Sequence, residues 1–432
     1  MATSRDKKVR RQGRTVFVVI LAAQLLAALV INSAPGGDVL SGEAISRTGV
    51  ALDLLNGRMK GRQGLVGSLY WAPLPTLLVL PIVPLSQSGF ASCIVCAFFA
   101  AAAGAFLNAW WRRYGVGPVV RFLGVLLFEA QPQVLLSVMS GTSAILFATL
   151  IVACFACLLR WLSEGRLNSL AYLSVFVGLA VLTRYQAVVF GLAVLMIVLV
   201  ALVSERKGKG YREATLIAFL VPGLYAAAVW FAANWLIMGD PIFFLRGILP
   251  SCYVKVGLFS MLTEGCEWPL ALFALLLAAV SWRRSDRPAG AGVGFLVLLI
   301  CAAAMVIGVY TLDRKERISE RKEIGDIVRY CVDNHSEDRV VSSGYRGYEF
   351  TRGLPPHQRK IFVHRISMYL GKVLKDTRGK SLYILVPKPV GGDRWEDINL
   401  IFPGMYEGAP EIILSHHGWR NWRLFRVVRT DA

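Results

Sequence analysis

The chain has 432 residues, 55% of them hydrophobic and 17% charged, with a mean hydropathy of +0.54. A water-soluble globular protein of this length carries more charge, so that class is excluded and a polytopic membrane protein is implied. The formal net charge of +19 would point to a polyanion in a soluble chain, but here the basic residues cluster beside apolar segments, which assigns them to membrane topology and not to nucleic acid.

Residues 1–14 carry six basic residues against one acid and precede an apolar run from Thr15 to about Ile31. This reads as a retained first span with its amino end in the cytoplasm. The 34–68 loop comes next, with Asp38 in a Gly-rich turn and Glu43 just after it. Ala44, Ile45, Val50, Ala51, Leu54 and Leu55 recur at helical spacing, with Gly57 as a stop. The pattern predicts a helix lying along the membrane interface, its apolar stripe against lipid or neighbouring spans. Glu43 then sits in the first turn, where a carboxylate also stabilises a helix end by ~0.3–1 kcal/mol. Residues 69–86 are apolar, but Pro73, Pro75, Pro81 and Pro84 remove backbone donors, so a bent or re-entrant segment is expected there.

Further apolar runs cover roughly 90–111, 116–138, 141–162, 169–183, 185–203, 214–237, 267–282 and 290–311. With 69–86 adding no net crossing, about nine crossings result, and Arg112, Arg113, Arg160, Arg166, the 205–213 run, Arg283 and Arg284 all fall inside. This topology places the 34–68 loop, the Gln131–Ser143 turn, the Thr183–Gln186 break and the Gly239–Glu267 loop on the extracytoplasmic face. From about Asp313 the composition turns polar. Ile318, Ile324, Ile327, Val328 and Cys331 mark an amphipathic helix leading out of the membrane, and 339–344, 381–389 and 422–428 read as strands with a helix near 367–377. The fold class is therefore an α-helical polytopic membrane protein, residues 1–312, with a small C-terminal extracytoplasmic α/β domain, residues 313–432.

Several residue groups invite chemistry and receive a plainer reading. Cys93 and Cys96, like Cys154 and Cys157, lie three apart inside apolar segments without histidine nearby and read as small apolar helix residues. Cys252 and Cys266 share a polar loop, in which a disulfide is open if the loop lies outside. His416 and His417 lack partners at a zinc spacing and read as a surface loop. Glu129 is either a partner for Arg121, two turns away, or a site residue. No metal and no cofactor are implied.

An acid, a helical run ending in Gly, and then Tyr70-Trp71-Ala72-Pro73-Leu74-Pro75 together resemble the first outer loop of GT-C glycosyltransferases. GLAVLTRYQAVVF (178–190), Ser140-Gly141-Thr142-Ser143 and the segment from Asn234 to Pro241 resemble later conserved segments of bacterial members, in order, over about residues 15–250. The resemblance is to polyprenyl-phosphate-sugar-dependent enzymes of the mannosyl- and arabinosyltransferase kind. It implies an inverting transfer of sugar from a polyprenyl-phosphate donor in the membrane to a glycan, lipid or protein acceptor, with a carboxylate as general base. The family's pattern has two adjacent acids, the first implicated in catalysis. Glu43-Ala44-Ile45 fits the second acid and the two residues after it, Gly42 stands in the place of the first, and Asp38 four residues earlier is the candidate to take its role. A lysine or histidine near the proline motif is replaced by Ala72.

The leaving group in such a transfer is an anion. Arg184, between two apolar runs on the outer side, is the expected phosphate ligand, because a guanidinium binds phosphate oxygens in a fork. Its plainer reading is a snorkelling interfacial arginine. Arg246 and Lys255 are further phosphate ligands or solvated loop charges, and Tyr70, Trp71, Tyr185 and Gln186 are substrate contacts or members of an aromatic belt and its surroundings. Two other functions fit the same spans: a lipid or small-molecule transporter, for which an internal repeat is missing, and a non-catalytic relative that binds the lipid carrier.

Overall fold

The computed structural model describes residues 4–33, 39–66, 72–86, 89–113, 115–185, 187–204, 208–246, 319, 322–343, 347–351, 354–365, 382–389, 398, 404–407 and 413–427. The chain divides into two compact units. One comprises Met1–Leu40, Phe90–Trp230 and Glu267–Arg314; the other comprises Ser41–Gly89, Phe231–Cys266 and Lys315–Ala432. The expected spans at 267–282 and 290–311, the Cys252–Cys266 question and the helix near 367–377 lie outside the described residues.

The first unit is helical. It holds α1 (Ser4–Ser33), α5 (Phe90–Arg113), α6 (Pro118–Glu129), α7 (Pro132–Ser140), α8 (Ala144–Glu164), α9 (Leu167–Thr183), α10 (Ala187–Ser204) and most of α11 (Lys209–Met238). Among the described residues four helices are long and apolar enough to cross a membrane, or five if the bent α6–α7 pair is one span. Helix α9 has 17 residues and rises about 26 Å at ~1.5 Å per residue, slightly under a ~30 Å hydrocarbon core. Apolar side chains such as Leu224 (63% exposed) and Val203 (77% exposed) face outward, which water would oppose and lipid favours. The protein is thus an α-helical polytopic membrane protein. Inside the unit, Leu158, Trp161, Leu170, Leu173, Val198 and Phe219 form a core between α8, α9, α10 and α11.

The 116–138 run, expected as one span, is broken. Helix α6 ends at Glu129, Pro132 opens α7, and the two helices meet at 53°. Proline's missing N–H and its clash with the preceding turn account for the break. Gly141, at φ +71°, closes α7 in the left-handed region that glycine adopts without penalty. Next to this joint, the Cys93 and Cys96 thiols donate to the carbonyls of Met139 (3.3 Å) and Thr142 (3.1 Å). Both thiols thus serve as donors to carbonyls at the end of α7. Glu129 is buried, and its Oε2 accepts from Gln24 Nε2 at 2.9 Å. Its side-chain partner among the described residues is therefore Gln24 on α1 and not Arg121, whose Nε and Nη1 have no partner there.

The second unit joins the first loop to the C-terminal residues. Helices α2 (Gly42–Leu55), α3 (Met59–Val66) and α4 (Pro73–Val79) pack together, and α12 (Phe243–Arg246) stacks Phe244 on Phe231. Residues 69–86 form no straight span where described: α4 is seven residues long and turns follow over 80–85. The C-terminal part begins with a helix over 322–334, α13, then β1 (Arg339–Ser343), α14 (Gly347–Thr351), α15 (Pro356–Arg359), β2 (Phe362–Arg365), β3 (Leu382–Pro387), β4 (Ile413–Gly418) and β5 (Trp422–Val427). The five strands form one sheet in the order β2-β1-β3-β5-β4. β1 pairs in parallel with β2 and β3, and β5 pairs antiparallel with β3 and β4.

Every residue of β3 is buried, so this central strand is covered on both faces. Tyr383 and Leu385 meet Ile324, Ile327, Cys331, Phe350 and Trp422 on one side, whereas Leu382, Ile384 and Val386 meet Ile398, Met405 and Phe425 on the other. That alternation is the period-two geometry of a strand. The amphipathic stripe of α13 therefore packs on the sheet through Ile324, Ile327 and Cys331.

Candidate functional site

The second unit builds a charged cluster around α2. Ser41 is the N-cap: its backbone is extended, and its hydroxyl accepts from the Ala44 amide at 3.0 Å, satisfying a donor that the first turn leaves open. Glu43 comes next in that turn, and its Oε1 accepts from Arg47 Nε at 2.8 Å, an i,i+4 pair. Arg47 is 4% exposed and Glu43 20%. Arg47 Nη1 also donates to the Ala72 carbonyl (3.0 Å) and Thr76 Oγ1 (3.1 Å). Ala72 precedes Pro73 and takes the extended ψ of 149° that a following proline enforces. The guanidinium thus binds α2 to the start of α4, and its burial is compensated by a carboxylate and two neutral oxygens.

The rest of α2 is fixed from the C-terminal side. Asp53 is 5% exposed; its Oδ1 accepts from Arg58 Nη1 at 2.8 Å and its Oδ2 from the Tyr348 hydroxyl at 2.9 Å. Gly42, Gly49 and Asp53, at i, i+7 and i+11, share one helix face. This face meets α14 closely: a Cβ at Gly49 would overlap the Tyr348 ring, and one at Gly42 would overlap the Glu349 carboxylate. Ala44, Ile45, Val50 and Ala51 of the expected apolar stripe are buried against protein, while Leu55 is 49% exposed. The helix ends at Leu55, and Gly57 takes φ +66° just beyond, as its stop role requires.

The other residues expected from the sequence are dispersed. In the first unit, Arg184 ends α9 in an extended conformation, φ −149° and ψ 123°. Its amide donates to the Ala180 carbonyl, and its carbonyl accepts from the Ala187 amide that opens α10, both at 2.9 Å. Arg184 and Tyr185 are half-buried in this break. Arg246 closes the short helix α12. Asp38, Tyr70, Trp71, Gln186 and Lys255 lie outside the described residues. Sequence reading missed Arg47, Asp53, Tyr348 and Glu349. The available signal was the pair of glycines seven apart with an acid four further on, which marks a face built for close approach.

Within the C-terminal sheet, His417 lies on β4 and not in a surface loop. Its ring stacks on Tyr330 at 4.3 Å and meets Trp419 edge-on at 4.5 Å. Among the described residues no group of His, Cys, Asp and Glu is arranged to hold a metal ion. A cavity of about 570 Å³ nearby is lined by Lys388, Tyr406, Glu407, Trp419, Arg420 and Arg423, among others. Arg423 lies over the Tyr406 ring at 4.6 Å and donates to the Tyr406 carbonyl at 2.6 Å.

No protein-family model matches the sequence, and no curated protein does. Among solved structures, the crystal structure of ArnT from Cupriavidus metallidurans bound to undecaprenyl phosphate is similar to this chain at a TM-score of 0.48 and 12% identity, over 96% of this chain and 98% of that one.

Proposed function

We propose that this protein is an integral membrane glycosyltransferase that moves a sugar from a polyprenyl-phosphate-linked donor to a glycan, lipid or protein acceptor outside the cytoplasm, with inversion at the anomeric carbon. The observation that carries the reading is the Glu43–Arg47 pair: an acid and a largely buried guanidinium held together at the start of α2, in the loop whose sequence resembles the GT-C catalytic loop. In the reaction, a loop carboxylate accepts the proton of the attacking acceptor hydroxyl as polyprenyl phosphate departs. Asp38 and Glu43 are the loop's candidates for that role. General-base assistance of this kind is worth about 10²–10⁴-fold, roughly 3–5 kcal/mol of barrier.

A cation beside the departing phosphate stabilises the developing charge. Arg184 takes this role, with Arg246 and Lys255 as further phosphate ligands, and Tyr70, Trp71, Tyr185 and Gln186 contact donor or acceptor. The amino end of α1 lies in the cytoplasm in this reading, and the loop and C-terminal domain lie outside. The test is sugar transfer from a set of polyprenyl-phosphate sugars by membranes containing the protein. Asp38→Asn or Glu43→Gln, whichever removes the base, should lower transfer by about 100-fold or more while the protein still inserts and accumulates. Full activity in both variants would show that the assigned carboxylates are wrong.

One observation favours a second reading, a non-catalytic relative that binds the lipid carrier. Glu43 Oε1 is engaged by Arg47, and position 42 has no side chain. Thermal stabilisation by polyprenyl phosphate, with no turnover of any donor by the unaltered protein, is the outcome that selects it.

A further inference from the structure

The cavity beside the C-terminal sheet has no part in the loop chemistry. Three segments of the second unit close around it: Lys388 just after β3, Tyr406 and Glu407 in the 404–407 turn, and Trp419, Arg420 and Arg423 of the β4–β5 hairpin. Its volume of about 570 Å³ falls inside the ~300–1,000 Å³ of small-molecule sites.

The backbone beneath these side chains is tied together. The Lys388 amide donates to the Asn421 carbonyl at 2.7 Å, and the Trp419 amide to the Trp422 carbonyl at 2.8 Å. Glu323 on α13 accepts from both the backbone and the side-chain amide of Asn421, which fixes the hairpin turn from below. Trp419 meets His417 edge-on at 4.5 Å and Tyr330 at 5.5 Å, so its indole plane is set before a ligand arrives. Arg423 is set as well. Its guanidinium lies over the Tyr406 ring and gives one N–H to the Tyr406 carbonyl, and its other N–H groups have no partner among the described residues. Preorganised side chains of this kind lose little freedom on binding.

The charges then decide what fits. The cavity holds the cations Lys388, Arg420 and Arg423 against the single acid Glu407. Lys388, Arg420 and Glu407 are exposed, and none of the three side chains forms an ion pair among the described residues. Cations gathered around one concavity repel each other, and an anionic group from outside relieves that repulsion. Guanidinium groups match the oxygens of a carboxylate or phosphate. Glu407 sets a second requirement: it repels an anion but accepts hydrogen bonds, so the ligand must offer hydroxyls as well as charge. Trp419 adds an apolar surface for ring C–H groups.

We propose that this cavity binds an acidic sugar, a hydroxylated ring bearing a carboxylate or phosphate. Arg420, Arg423 and Lys388 take the anionic group, Glu407 takes hydroxyls, and Trp419 lies against the ring. The site performs binding alone and does not depend on the transfer reading, so either can fail without the other.

The test is isothermal titration of the full-length protein in neutral detergent with glucose 6-phosphate, glucuronate, glucose and inorganic phosphate. At least one of the acidic sugars should bind, and its identity names the anion. Glucose and inorganic phosphate should each bind about tenfold or more weakly, since each lacks half of the recognised chemistry. Added salt should weaken the acidic sugar. Arg420→Gln and Lys388→Gln should each weaken it by about tenfold with the thermal unfolding midpoint unchanged. Arg423 is left intact because it also holds Tyr406. Absence of binding by both acidic sugars at millimolar concentration overturns the proposal, as does equal binding by the unaltered protein and both variants. Inorganic phosphate held as tightly as glucose 6-phosphate would reduce the site to a bare anion patch and overturn it too. The same titration in nanodiscs separates a free sugar from lipid headgroups: binding kept in phosphatidylcholine but abolished in phosphatidylglycerol would assign the cations to the membrane surface, against the proposal.

Discussion

Arg47 is the residue on which the loop turns. Its guanidinium is all but buried between one carboxylate and two neutral oxygens, so truncating Glu43 does more than remove an acid; it leaves a buried charge with weaker partners, a loss that costs about 3–5 kcal/mol in well-buried pairs. Thermal unfolding must therefore be measured beside transfer in any Glu43 variant. Tyr348 offers a cleaner residue-scale prediction. Its hydroxyl donates to Asp53, which is 5% exposed, and Tyr348→Phe should destabilise the second unit by about 1–3 kcal/mol because one carboxylate oxygen loses its donor. An unchanged unfolding midpoint would contradict that contact.

Cys331 supplies a prediction in pH. It is fully buried on α13, and burial pushes its thiol from the ordinary 9.0 up to about 12. Between about pH 9 and 12 the unfolded thiol is ionised while the native one keeps its proton. The native state then holds the extra proton, so this residue's contribution to stability is complete below pH 9 and is lost as pH rises toward 12. Since the thiolate is the nucleophile, iodoacetamide at pH 8 should leave Cys331 unlabelled in the native protein and label it once the chain is unfolded. Rapid native labelling would refute its burial.

At the scale of elements, the close contact of α5 with α6 depends on a missing side chain. A Cβ at Gly104 would overlap Glu129 Oε1 and come within 2.8 Å of Ile20 Cδ1 and 3.3 Å of Val125 Cγ1. Gly104→Ala should therefore lower stability by about 1–3 kcal/mol, the usual cost of overpacking, despite alanine's better helix propensity. A raised unfolding midpoint in detergent would show that α1, α5 and α6 pack with room to spare. The same elements show what a sequence can and cannot convey. Helix α2 and its stop at Gly57 were legible because apolar periodicity and glycine are local signals. The break in 116–138 had Pro132 as its marker, but a long apolar run outweighed one proline. β2 and β4 were missed because four to six residues, with charged or histidine side chains among them, give too short a pattern to separate from loop. The contacts of Arg47 and Asp53 carried no signal in the sequence because their partners Ala72, Thr76 and Tyr348 lie 25, 29 and 295 residues away.

For the whole molecule, composition alone conveyed the membrane class, because no local feature can reverse a mean hydropathy of +0.54. The grouping of residues Ser41–Gly89 with Lys315–Ala432 in one compact unit was not legible, since it depends on contacts between segments at opposite ends of the chain. The α2–α14 contact has a consequence for how this protein comes into being. During synthesis the loop emerges early, with the Gly42–Gly49 face bare and Asp53 lacking its tyrosine. It must wait, through the insertion of every later span, for Tyr348 and Glu349 to leave the ribosome. The loop is made near the beginning and finished near the end, so the second compact unit is completed only when the last part of the chain has been synthesised.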